Sequence, residues 1–97
     1  MARQRFYRRR FLNRRGHHAG AYVLADITID TWRSNGEECQ LDAELIISDC
    51  SRVTTLTFDA YDGPSWSNAL YKARNLQSVV NDFVEALEAA GEEIGLD

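Results

Sequence analysis

Seven arginines crowd the first fifteen residues: Arg3, Arg5, Arg8, Arg9, Arg10, Arg14 and Arg15, with no acid among them. Phe6, Tyr7, Phe11 and Leu12 are interleaved with them. The chemistry this suits is the binding of anions. Guanidinium groups pair with carboxylates or phosphates, and the rings can bury or stack. A purely solvated basic tail is poor in aromatic residues, so part of this stretch is expected to dock.

The rest of the chain has the opposite charge. Arg33, Arg52, Lys72 and Arg74 stand against all fifteen acids, so an arm of +7 is joined to a body of −11 within a net charge of −4. Such asymmetry marks an interaction arm. Two partners fit. An acidic protein surface would take Arg5, Arg8, Arg9 and Arg10, with Phe6, Tyr7 and Phe11 buried beside them. Single-stranded nucleic acid would place phosphates on the arginines and bases on the rings. The acidic body repels a polyanion, so nucleic-acid binding would rest on the arm alone. Assembly uses both halves, because the chain is charge-complementary to itself. The expected function is therefore a small non-catalytic binding or assembly protein whose arm docks on an acidic surface, its own copy's or another protein's. A homo-oligomer is expected, with nucleic-acid binding as the alternative. Small accessory proteins of phages and mobile elements often share this make-up.

The acids fall on a predicted sheet face: Asp26, Asp30, Asp42, Glu44 and Asp59. Directly opposed like charges cost stability. Three readings compete: a solvated face, a docking surface for arginines, and an all-oxygen site of the kind that suits magnesium or calcium. A second contact patch, Tyr71, Arg74 and Asn75, lies on the polar side of a predicted helix.

Other reactive residues lead nowhere in particular. His17 and His18 are adjacent, so they point apart, and no ligand-spaced cysteine accompanies them. Cys39 and Cys50 fall at opposite ends of one predicted strand, about 36 Å apart at 3.3 Å per residue, too far for a disulfide. They are expected to be free thiols, as suits a reducing compartment. No phosphate-binding glycine loop or nucleophile–base pair is present. No cofactor is expected and the chain does not read as an enzyme; the remaining alternative is a carboxylate metal-dependent enzyme built on the acidic face. No apolar run approaches the roughly 20 residues of a membrane helix, and no apolar segment follows the basic start as it would in a signal peptide. A cytoplasmic, membrane-free protein is the expectation.

Three strands and a helix must position these residues. Alternation predicts strands near 21–32, 39–49 and 53–61. Val23, Ala25, Ile27 and Ile29 share a face with Leu41, Ala43, Leu45 and Ile47, and with Leu56, Phe58 and Ala60. Matching faces requires a three-residue loop Ser34-Asn35-Gly36 and a two-residue loop Cys50-Ser51. These pair Ile27 with Ala43, Ile29 with Leu41, Leu45 with Leu56 and Ala43 with Phe58. A helix over 65–90 follows Pro64 and is expected to close at Gly91. Its apolar side runs through Trp66, Ala69, Leu70, Ala73, Leu76, Val80, Phe83, Val84 and Leu87. Leu76, Val80, Phe83 and Leu87 are expected to bury against the sheet. The fold class is α+β: a three-stranded antiparallel meander covered on one face by a long C-terminal helix, with a basic N-terminal arm. Residues 1–20 read as arm and glycine hinge, and 21–97 as one domain. Phe6, Arg8, Arg10 and Leu12 share a face if the arm is a fourth strand; Phe6, Tyr7, Arg10 and Phe11 do if it is a helix.

Overall fold

The computed structural model describes residues 2–31 and 39–96. Four strands, β1 (Ala2–Phe11), β2 (Tyr22–Thr31), β3 (Cys39–Asp49) and β4 (Arg52–Thr57), precede one helix, α1 (Gly63–Glu93). The strands form an antiparallel meander in the order β1-β2-β3-β4. The fold is α+β, and the arm supplies its fourth strand. The loop Ser34-Asn35-Gly36, with Trp32 and Arg33, lies outside the described residues.

Registers follow the matched faces. Ile27 pairs with Ala43, Ile29 with Leu41, and Asp26 with Glu44. Leu45 pairs with Leu56 across the Cys50-Ser51 turn. Cys50 takes φ 59° there, the left-handed conformation that a two-residue hairpin loop needs. β4 ends at Thr57, but Phe58 N–H still donates to Ala43 O at 2.8 Å, and Leu41 and Ala60 exchange bonds of 2.7 and 2.8 Å. Phe58 and Ala60 thereby stay on the helix-side face.

β1 carries a bulge. Gln4 pairs with Thr28 and Phe6 with Ile27, leaving Arg5 as the extra residue. One residue of slip exchanges the faces of everything after it. Because of the bulge, Phe6, Arg8 and Arg10 share the face of Ile27, Ala25 and Val23, while Tyr7, Arg9 and Phe11 share that of Asp26, Leu24 and Tyr22. Without it, Phe6 would sit on the acidic side. Gly16, at φ 93°, turns the β1–β2 loop. Gly20 is there for space: a Cβ would lie 2.8 Å from His18 Nε2 and 3.1 Å from Cys50 Cα.

The helix is closed at both ends by its own residues. Asp62 is the N-cap, accepting from Ser65 N–H at 2.8 Å, while Ser65 Oγ accepts from Asp62 N–H at 3.0 Å. That reciprocal pair is a capping box. Pro64 sits in the first turn. The expected stop at Gly91 is corrected: the helix runs to Glu93 and closes at Gly95, φ 77°. Leu96 N–H donates to Gly91 O and Gly95 N–H to Glu92 O, the paired bonds of a Schellman motif.

The core expectation is also corrected. Among the described residues, the buried hydrophobic side chains are Ala21, Ala43, Ala60 and Ala69, and no large side chain is fully buried. Leu70, Ala73 and Leu76 are half-buried. Beyond them the apolar stripe opens to solvent: Val80 is 48% exposed, Phe83 63%, Val84 45% and Leu87 60%. A helix of 31 residues is about 46 Å long at 1.5 Å per residue, whereas a ten-residue strand spans about 33 Å. The helix therefore overruns the sheet.

Overall dimensions agree. The molecule measures 61 × 28 × 19 Å, and its radius of gyration is 17.6 Å where a compact chain of this length has about 12.5 Å. It exposes 7990 Å², against about 5,600 Å² for a compact monomer of 11.0 kDa.

Candidate functional site

Three surfaces hold the residues with binding chemistry. The first is β1 and the loop after it. Arg5, Phe6, Tyr7, Arg8, Arg9, Arg10 and Phe11 are all exposed. Backbone pairing to β2 holds the strand, helped by Gln4 and Arg9, whose side chains contact Asp26 and Tyr22. On the side away from the helix, the Arg9 guanidinium lies 5.2 Å from the Phe11 ring centre and 4.9 Å from that of Tyr22. On the helix side, Arg8 lies 5.5 Å from the Phe6 ring. These stacks hold guanidinium groups in place by attraction to the ring faces. Among the described residues, no arginine of β1 is ion-paired with Asp26, Asp42, Glu44 or Asp59, so the charge of the strand is not neutralised by that cluster.

The second surface is the acidic sheet face. Asp26, Asp42, Glu44 and Asp59 surround one shallow depression with Thr28 and Thr57. Asp30 stands further along β2, opposite Ala2 and Gln40. Neutral donors already serve three of the cluster. Gln4 Nε2 donates to Asp26 at 3.0 Å and Gln40 Nε2 to Asp42 at 2.7 Å. Ala43 N–H donates to Asp59 at 2.9 Å, where the β4 ladder has ended. Amide donors offset the cost of massing carboxylates here. No apolar group lines the depression beyond Ala43. Among the described residues, no group of three or more His, Cys, Asp or Glu is arranged to hold a metal ion.

The third surface is the groove between helix and sheet, which sequence reasoning missed. It has a volume of about 540 Å³. Phe6, Ala25, Ile27, Leu45 and Phe58 line the sheet side; Trp66, Leu70, Leu76 and Val80 line the helix side. The helix is tethered at one margin: Lys72 Nζ donates to Thr57 O at 2.7 Å and sits 5.1 Å from the Phe58 ring. From that tether at β4 the groove reaches across to Phe6 in β1. Amphipathicity showed which side of the helix seeks cover, but not that the sheet is too short to supply it.

The remaining candidates stand apart. Tyr71, Arg74 and Asn75 are exposed on the outer side of α1, remote from the groove lining. His17 and His18 lie in the β1–β2 loop, where Asn13 Nδ2 donates to His18 O at 2.7 Å. Cys50 is an exposed free thiol. Among the described residues, no helix is long and apolar enough to cross a membrane.

No family model, curated protein or solved structure matches the chain.

Proposed function

We propose that this protein is a small non-catalytic binding and assembly protein, a homo-oligomer in which the arginine-rich strand β1 docks on an acidic protein surface. One observation carries the reading: an ordered, positively charged edge strand borders an apolar groove that the chain's own helix does not fill. Charge alone is too weak for a stable complex, since an exposed ion pair contributes about 0–1 kcal/mol. Each large apolar side chain taken from water contributes about 1.5–3 kcal/mol. The groove and the stripe of α1 supply that second term, and the arginines supply orientation and association rate.

A second reading rests on the stacked guanidiniums. Arg9 between Phe11 and Tyr22 gives alternating flat cations and rings on the surface, a platform on which unpaired bases stack. The body's eleven net negative charges oppose it.

Light scattering at low and high salt, with and without a single-stranded oligonucleotide, separates the two. Assembly predicts a mass above 11.0 kDa without nucleic acid, falling as salt rises. A monomer that shifts only on adding oligonucleotide would favour the second reading.

A further inference from the structure

The acidic surface that β1 meets has two candidates on the chain, and the sheet-face cluster is the weaker. Its carboxylates are largely served by amides, and it offers almost nothing apolar. The distal half of α1 offers both properties. Residues 79–93 carry Asp82, Glu85, Glu88, Glu92 and Glu93 and no base. The same segment displays Val80, Phe83, Val84 and Leu87, at spacings of three, one and three. Together with Ala69, Ala73 and Leu76 before them, Val80, Phe83 and Leu87 alternate at intervals of four and three. That is the 3.5-residue seam by which helices pack on one another. Groove and helix segment are thus complementary. One is an apolar channel whose β1 edge is Phe6, with Arg8 and Arg10 following on the same face of the strand; the other is an apolar ridge flanked by carboxylates.

Building on the assembly reading, we infer that the groove is covered by the apolar ridge Phe83, Val84 and Leu87 on the distal half of α1 from a second copy of this chain, exchanged reciprocally across a two-fold axis. The segment is long enough. Fifteen residues of helix extend about 22 Å, and four strands span about 15 Å across the sheet. The surface is sufficient too. The protomer exposes about 2,400 Å² more than a compact monomer of its mass, and a standard interface removes about 800 Å² from each partner. A two-fold arrangement uses both patches of both copies, leaving no unfilled groove to extend into a filament. Arg8 and Arg10 of each copy then face Glu85 and Glu88 of the other, and Phe83 and Leu87 lie against Phe6 and Ile27.

Charge exchange tests this without touching the apolar seam. Three double variants of the full chain are prepared: Glu85→Lys with Glu88→Lys, Arg8→Glu with Arg10→Glu, and Asp42→Lys with Asp59→Lys, the last pair lining the sheet-face depression and not the groove. Each is followed by sedimentation equilibrium at low salt, with circular dichroism to confirm that α1 is intact. The helix and strand variants are each expected to weaken the dimer at least tenfold. Mixed in equal amounts, those two should form a heterodimer as tight as the wild-type dimer, because both reciprocal contacts then join opposite charges. The sheet-face variant should keep the wild-type mass. A wild-type dimer that survives Glu85→Lys with Glu88→Lys but dissociates with Asp42→Lys and Asp59→Lys overturns the helix inference and leaves assembly standing. A wild-type chain that remains monomeric at all salt concentrations overturns both.

Discussion

Asp62 holds the entry of α1, and its titration can be followed. The Ser65 hydroxyl, and then the Ser65 N–H, hold its carboxyl below the ordinary value of 3.8. A carboxyl whose folded pKa is depressed contributes stability that is full above its unfolded pKa and is lost as pH falls through the folded one. Asn also caps a helix but does not titrate. The stability difference between wild type and Asp62→Asn should therefore be constant above about pH 5 and shrink below 3.8, as read from urea titrations across that range. A difference that grows on acidification would contradict the assignment. Gly20 gives a second residue-scale prediction. A Cβ there meets both the His18 ring and the backbone of Cys50, so Gly20→Ala should cost about 1–3 kcal/mol, typical of overpacking. His18→Ala should restore only part, because the Cys50 backbone cannot move aside as a side chain can. Full restoration in a denaturant titration would place the strain on the imidazole alone.

At the scale of elements, alternation in β2, β3 and β4, with the turn residues between them, was enough to pair Ile27 with Ala43 and Leu45 with Leu56, because like faces meet only for loops of one parity. β1 was harder to read. Its arginines and rings alternate on both faces, so periodicity could not choose between strand and helix, and the Arg5 bulge that sends Phe6 to the groove leaves no pattern in the sequence. Asp26, Asp42, Glu44 and Asp59 line one depression, but the amides of Gln4 and Gln40 that serve two of them are side-chain placements that spacing does not reveal. For α1, the stripe was legible and its cover was not. Phe83 now decides the matter. Because it is 63% exposed in the protomer, Phe83→Ala should leave α1 helical in dilute solution. It should abolish any rise of melting temperature with protein concentration, a rise that a dimer must show. If Phe83→Ala instead lowers the melting temperature by the same amount at every concentration, the residue is buried within its own chain.

At the scale of the whole molecule, the buried apolar side chains among the described residues are all alanines. Native domains are stable by only about 5–15 kcal/mol, and each large side chain left in water forgoes about 1.5–3 kcal/mol of that. Leaving Val80, Phe83, Val84 and Leu87 uncovered is thus comparable with the entire stability of a small domain. In the proposed dimer a second copy would supply that cover, and the split between a basic strand and an acidic helix would set how the copies meet. Association should weaken with salt, since the screening length falls from about 10 Å at 0.1 M to about 3 Å at 1 M. It should not vanish, because the apolar contact is not screened.

Sedimentation equilibrium of the unmodified chain at low salt tests the completed core most directly. A single species of twice the 11.0 kDa protomer mass is expected at micromolar concentration. A species of 11.0 kDa that stays cooperatively folded across the accessible concentration range would contradict it.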